Sequence, residues 1–377
     1  MGINFPSFPA DGQVLSVSPG VSFVASGGRW RPAPLKTALP KNYIVNPAMQ
    51  VSQQNGDTAS AASSTVSYYP ADQWLTRFQN ITGYSGYAAR ASIHPAGLQS
   101  IYIHTTTPLA NFPANSSGLI SQYIEGNRVA DLNWGTANAV PIVVRLSAMS
   151  TAVTGTFSFR IGNNTSPSRS YIQQFDIPTA NVWTDVAAAV PGDTTGTWPT
   201  DTGIGMTFDF VGGGTAVLAG VAGWQAGDKT WINNGQVKSI SAVGDIHFTA
   251  VGIYADPYLT GLPPPFVVPS PFDELRRCQR YWYKGWGARG VMSTTTQFNR
   301  ADVAHPVPMR GTPTLALAGA PKAYDGTTSV VMTTMGANNS NSYVLEMTAT
   351  VPALVAARPA SHILVTDADY IAVNARM

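Results

Sequence analysis

Charge is scarce in this chain. Of its 377 residues 11% are Asp, Glu, Lys or Arg, about half of the ~25% usual in soluble proteins. Only three of the twenty acidic residues are Glu (Glu125, Glu274 and Glu346). Glu and Lys populate exposed helices, so their shortage argues against a helical protein. There is a single cysteine, Cys278, which excludes an internal disulfide framework and an all-cysteine metal site. The net charge of +2 is too small for a polyanion partner, so no nucleic-acid role is expected. No apolar run approaches the ~20 residues of a membrane helix, and the opening MGINFPSFPADG lacks the basic and apolar regions of a secretory leader. These absences point to a product made in a reducing cytoplasm, with no membrane insertion.

What is present is Thr, Ser, Asn, Val and aromatic residues, with 35 Gly and 28 Pro. That is the composition of strands and turns. Residues 1–40 read as a Pro/Gly-punctuated head, with a hairpin formed by VSFV (21–24), the turn ASGG (25–28) and RW (29–30). Residues 41–258 read as one β-sandwich. TFSFRI (156–161) sets Phe157, Phe159 and Ile161 on one face; GMTFDF (205–210) does the same with Met206, Phe208 and Phe210, leaving Thr207 and Asp209 outside. Strands are also predicted in IVVRLSAM (142–149) and DIHFTAVGIY (245–254). Residues 259–271 form a Pro-rich linker. Residues 272–377 form a smaller β-domain with strands in SVVMTTM (329–335) and SYVLEMTATV (342–351), the latter facing Tyr343, Leu345, Met347 and Ala349 one way.

Charge and aromatics gather in SPFDELRRCQRYWYKG (270–285). Ser270, Pro271 and Asp273 make a helix start. Helical spacing then sets Leu275, Cys278 and Trp282 on one side and Arg276, Arg280 and Lys284 on another. A short helix of this kind needs tertiary packing to exist, so the stretch reads as a structural clasp or interface carried by Arg276, Arg280 and Trp282. No wider basic field supports a nucleic-acid role.

Several blocks resemble a known family. KNYIVNPAMQVSQQNG (41–56), YYPADQW (68–74), residues 124–163, 169–210 and AGWQAGDKTWINNGQV (222–237) are ordered as in a domain of bacteriophage tail fibres and related virion appendages. DELRRCQRYWYK (273–284) is similar to the segment C-terminal to that domain, and INFPSFPADGQ (3–13) with GGRW (27–30) is similar to the head of such fibres. The resemblance implies a jelly-roll sandwich of the carbohydrate-binding-module kind on a homotrimeric fibre or spike. It implies a virion location, other virion proteins as partners of residues 1–40, and a host-surface glycan as ligand. The chain departs from the family where YADPYLTGLPPPFVVPSPFDE (254–274) separates the sandwich from the C-terminal domain.

Catalytic patterns are weak. The five histidines (His94, His104, His247, His305, His362) show no HxH or HExxH spacing. GYSGY (83–87) is not a nucleophile elbow, and VGGGTAVLAG (211–220) lacks the Lys-Ser/Thr of a P-loop. The expectation is therefore a non-enzyme without a cofactor and with no metal site. Sugar binding requires only an aromatic face and hydrogen-bonding side chains. Candidate residues are Trp134, Trp198, Asp201, Trp224 and Trp231, in loops rich in Asn, Asp and Gly. The same tryptophans fit a plugged sandwich core equally well. Asp193, Asp201 and Asp228 offer oxygens to a sugar or a structural Ca²⁺, and as turn residues they are commonly only solvated. Two further readings are an architectural collar or decoration protein without a ligand and a capsule-polysaccharide depolymerase.

Overall fold

The computed structural model describes residues 9–10, 13–18, 21–32, 40–61, 67–109, 117–210, 219–229, 231–232, 241–285, 289–294, 297–324, 329–337, 344–350, 361–364 and 370–377. Among them the chain is all-β apart from short helical segments at Gly126–Val129, Ala130–Leu132 and Pro271–Gln279. No helix among the described residues is long and apolar enough to cross a membrane.

The expected hairpin in the head is present. Strands Val21–Ser26 and Arg29–Pro32 pair across Gly27 and Gly28, and Val14–Ser18 adds a third strand. Both glycines have positive φ, which side-chain-bearing residues adopt at a cost.

Two antiparallel sheets build the sandwich. One has the order Gly223–Ala226, Arg169–Ile177, Gly155–Gly162, Ile204–Phe210, Ser117–Glu125, Trp74–Gln79, Ser67–Ala71. The other runs Thr184–Val190, Ile142–Ser150, Gly244–Ala255, Ser100–Thr107, Ser85–Ala91. Apart from three hairpins (67–79, 85–107 and 155–177), neighbours within each sheet come from distant parts of the chain, in the manner of a jelly roll. The inward half of the alternation holds: Phe157, Phe159, Ile161, Met206, Phe208 and Phe210 are buried. They meet Trp74 and Phe248, with Trp74 edge-on to Phe248 at 5.3 Å between ring centroids and Phe210 stacked on Phe248 at 4.8 Å. The outward half does not, since Thr207 and Asp209 are also buried, Asp209 beneath Arg160 and Ser121 on the other face of the sheet. The Trp74 indole donates to the Asn46 carbonyl at 2.9 Å, so the largest core side chain leaves no buried donor unpaired.

Residues 259–270 carry no regular element, and the helix starts at Pro271. The Ser270 side chain makes no capping bond; its carbonyl instead accepts from Glu274 N at 3.0 Å. The helix ends at Gln279, and Trp282 lies in the strand Trp282–Gly285, paired with Tyr370–Asn374. This corrects the predicted helical stripe Leu275–Cys278–Trp282. Non-local strand pairing overrides helical periodicity there. Cys278 and Tyr281 pack with Val45 and Val51 of the sandwich. The Ser329–Thr334 region also differs from expectation, being two strands, Ser329–Val331 and Thr334–Ala337, with Met332 buried between them. The side chains of Tyr343, Leu345, Met347 and Ala349 in the predicted 342–351 strand lie outside the described residues, though the backbone forms the strand Val344–Thr350.

Candidate functional site

The predicted tryptophans divide. Trp134 and Trp198 are buried in the sandwich core, with 7% and 9% of their surface exposed. They stand edge-to-face at 4.7 Å, and Trp224 meets both at 5.4 and 5.7 Å. Each indole N–H is committed to the protein: Trp134 to the Val140 carbonyl, Trp198 to Asp193 and the Thr195 carbonyl, Trp224 to the Pro191 carbonyl. The space beside Trp134 and Trp198 is about 10 Å³, roughly room for one water. The loop position that marked Trp134 and Trp198 as sugar platforms is therefore a plug at the end of the sandwich. Trp224 is half-buried, with Arg169 over its ring at 5.7 Å. The Trp231 side chain lies outside the described residues. Asp201 is exposed and accepts from Gly203 N at 2.8 Å.

The aspartates proposed for calcium are engaged elsewhere. Asp193 receives Arg169 at 2.9 and 3.0 Å together with Thr195. Burial raises the pKa of its carboxyl, but the Arg169 and Thr195 hydrogen bonds outweigh this and hold it below the usual range. Asp228 pairs with Arg160. Among the described residues no group of three or more His, Cys, Asp or Glu is arranged to hold a metal ion.

The clasp residues also divide. Arg280 is bidentate to Glu125, and Trp282 is 2% exposed. Arg276 is exposed and lies 5.9 Å from the ring centroid of Phe272, its neighbour on the same helix.

A different constellation emerges on the outer face of the five-stranded sheet. Strand alternation that buries Ile101, Ile103, Ile246 and Phe248 must turn Tyr102, His104, Asp245 and His247 outward. The register sets His104 opposite Tyr87 on one side and opposite Asp245 on the other, and Tyr102 opposite His247. Tyr87 stacks on His104 at 4.7 Å, Tyr102 stacks on His247 at 5.0 Å, and the two tyrosines meet edge-on at 6.2 Å. Trp183, just before Thr184–Val190, closes one side, 6.1 Å from His247 and 4.6 Å from His94. Tyr87, Tyr102, His94 and Trp183 are partly exposed, and Ile93, Val182 and Val243 are exposed on the adjoining loops.

Polar groups are fixed among these rings. His104 Nδ1 lies 2.6 Å from Asp245 Oδ1, and Ser100 Oγ lies 3.3 Å from His247 Nδ1. His94 is held by Ser147 Oγ at 3.4 Å and by Ala96 N at 3.2 Å. His247, and after it His104, hold the Asp245 carboxyl below the usual carboxylate range, against the opposing effect of partial burial. Burial first, then Tyr87 and Asp245, raise the pKa of the Tyr102 hydroxyl. The result is a shelf of aromatic faces with an ionised carboxylate and the His104 imidazole beside it, while His247, 3% exposed, lies beneath the rings. Such a surface can stack on the apolar face of a pyranose and hydrogen-bond its hydroxyls. Three of the five histidines that look scattered in the sequence converge here. Their signal is outward alternation in IYIH and DIHF, which reads equally as an ordinary solvated strand face.

A cleft of about 410 Å³ lies elsewhere, between Pro40–Asn42, Arg128 and the 265–273 segment. Its cations are occupied: Lys41 with Asp131, Arg277 with Glu274 and Arg128 with the Tyr43 carbonyl. Only Tyr254 supplies an aromatic ring to its lining.

No protein family matches the chain, and no curated protein matches it. Solved structures do. One holds the CBM22-1 and GH10 modules of the Clostridium thermocellum xylanase 10B with xylohexaose, at 12% identity and a TM-score of 0.28, covering 56% of this chain and 30% of that one. The enzymatically active domain of bacteriophage CBA120 tailspike protein 4 matches at 10% identity and a TM-score of 0.30, covering 57% of this chain and 21% of that one. A family 11 carbohydrate-binding module of a Clostridium thermocellum cellulosomal cellulase matches at 11% identity and a TM-score of 0.28, covering 52% of this chain and 97% of the module. The chain thus spans under a third of the xylanase and of the tailspike domain. TM-scores this low carry no argument about the site.

Proposed function

We propose that this chain is a carbohydrate-binding subunit of a phage virion appendage, and that the Tyr87–Tyr102–Trp183 shelf is its glycan-binding face. One observation carries the reading: three partly exposed aromatic rings, His104 and a carboxylate meet on one sheet face, with the buried His247 beneath the rings. A core needs no outward aromatics, whereas a sugar platform needs them. The virion setting, the homotrimer and the attachment role of residues 1–40 are supported by the ordered sequence blocks that resemble phage fibres. The proposal assigns binding without turnover.

The test is a screen of host-surface polysaccharides with the full chain, the Tyr87→Ala/Tyr102→Ala variant and Trp183→Ala. Both variants should melt within a few degrees of wild type and lose affinity by at least about tenfold, as expected from lost stacking. Variants that bind like wild type would remove the shelf from the site. A wild-type chain that binds no glycan supports the architectural collar reading, and release of new reducing ends supports the depolymerase.

A further inference from the structure

The seven-stranded sheet also has an outer face, and its chemistry differs from that of the aromatic shelf. The alternation that turns Trp74 and Phe78 inward sets Arg77 outward, and that which buries Ile120 and Ile124 sets Tyr123 outward. With Arg160, Asn164, Asp209 and Asp228 they border a pocket of about 80 Å³.

One wall of this pocket is fixed. Arg160 donates through Nη1 to Asp209 Oδ2 at 2.6 Å, through Nη2 to Asp228 Oδ1, and through Nε to Ser170 Oγ at 3.2 Å. Ser121 Oγ donates to the other Asp209 oxygen at 2.6 Å. Gly162 makes room for this guanidinium, since a Cβ there would stand 2.5 Å from Arg160 Nη2. Each of the three Arg160 side-chain nitrogens and both oxygens of Asp209 are therefore engaged.

Two bordering residues keep free capacity. Arg77 lines the pocket, and its Nε, buried behind the rim, has no hydrogen-bond partner among the described residues. Among the described residues Asp228 engages only Oδ1, and its side chain is 60% exposed. An unmatched buried N–H is unfavourable until an acceptor reaches it. The two arginines and two aspartates cancel in formal charge, so the pocket holds no net attraction for an anion. It is larger than the roughly 10–15 Å³ that one water needs and well below the ~300 Å³ of a site that swallows a whole small molecule. It fits one edge of a ring.

We propose that this pocket is a second saccharide subsite, on the face opposite the aromatic shelf, which reads two adjacent hydroxyls of a neutral sugar residue. One hydroxyl oxygen accepts from Arg77 and the neighbouring hydroxyl donates to Asp228. The inference rests on the glycan-binding reading above and extends it to two faces of one sandwich, so that one chain can engage two strands of a surface polysaccharide or two points on one.

The test uses saturation-transfer NMR on the full chain with methyl α-mannopyranoside, methyl β-galactopyranoside and, as a charged control, glucuronate. At least one neutral glycoside should bind at millimolar concentration, and its signal should persist in Tyr87→Ala/Tyr102→Ala. Arg77→Met and Asp228→Asn should each weaken it on the order of tenfold, the effect of losing a charge-assisted hydrogen bond. Arg77→Lys, which keeps the charge but loses the planar fork, should weaken it too and serves if the Met variant does not fold. The proposal is overturned if neither neutral glycoside binds wild type, if only glucuronate binds, or if the Arg77 and Asp228 variants bind like wild type. It is also overturned if the signal vanishes in the shelf variant alone. The shelf itself is judged separately, by polysaccharide binding of the Tyr87→Ala/Tyr102→Ala protein.

Discussion

Arg280 and Glu125, 155 residues apart, form a two-pronged ion pair in which Nε and Nη2 each donate at 2.8 Å to a separate carboxylate oxygen. Glu125 is fully buried at the end of Ser117–Glu125, and Arg280 caps the helix Pro271–Gln279. The third arm of Arg280 donates to the Pro308 carbonyl at 3.1 Å, and its own carbonyl accepts from Arg310 N at 2.9 Å. One side chain thereby ties the sandwich, the helix and the C-terminal strands.

Removing Arg280 strands a buried carboxylate, so Arg280→Ala should cost about 3–5 kcal/mol in urea unfolding, the range for a broken buried pair. Arg280→Met combined with Glu125→Gln should recover much of that loss, because neither partner is then left as an unpaired charge. A single-variant loss below about 1 kcal/mol would place the pair in the class of exposed salt bridges and undo the clasp reading.

Trp282 tests the same junction without charge. It is 2% exposed, edge-on to Tyr370 at 6.0 Å, and its carbonyl accepts from the Gln53 side chain at 3.0 Å. Trp282→Ala should cost about 3–5 kcal/mol, as other large-to-small core changes do. Glycan affinity measured below the melting transition should stay at the wild-type level, since Trp282 takes no part in the shelf. Wild-type melting with lost binding would make it a ligand residue.

Period-two alternation in 156–161 and 205–210 was enough to place Phe157, Phe159, Phe208 and Phe210 in a sandwich core, because that signal is local. The proline after Ser270 was enough to place the start of the helix, and its end was not. Whether 280–285 continues as helix is decided by Tyr370–Asn374, nearly a hundred residues away. The shelf was illegible for a similar reason. Tyr87, Tyr102, His247 and Trp183 lie in separate segments, and only the register between strands brings their rings together. For Trp134 and Trp198 the sequence left a sugar platform and a core plug both open, because a loop tryptophan at the end of a sandwich can turn either way; both are buried.

His94 makes the shelf region sensitive to acid. Partial burial depresses the pKa of its imidazole below 6.5, with Asp185 opposing. Below about 6.5 the unfolded chain takes up a proton that folded His94 resists, so this group lowers stability as pH falls from neutrality towards its folded pKa. His94→Gln should therefore lose less melting temperature than wild type between pH 7.5 and 5.5, two values chosen to bracket roughly the ordinary histidine range. Parallel melting curves of the two proteins across that interval would remove His94 from the account.

Arg376 shows how a cation can be held with few hydrogen bonds. Its guanidinium carbon lies 3.9 Å from the Tyr69 ring centroid and 5.1 Å from that of Trp282, while Nη1 donates to Gln54 Oε1 at 2.6 Å. Nε and Nη2 are buried without hydrogen-bond partners among the described residues. What compensates them is two aromatic faces and the nearby Asp72 carboxyl, whose pKa burial raises and Arg376 pulls back down. A lysine keeps the charge but cannot lie flat between two rings. Arg376→Lys should therefore cost about 1–2 kcal/mol, the scale of a desolvated cation–π contact. Arg376→Ala should cost more, and Asp72→Asn in the same chain should offset part of that excess, giving a coupling of about 1 kcal/mol in a double-mutant cycle. If Arg376→Lys matches wild type, the stacking contributes nothing and charge alone anchors the residue. If the cycle closes to zero, Asp72 and Arg376 act independently, and the buried nitrogens owe their tolerance to the rings.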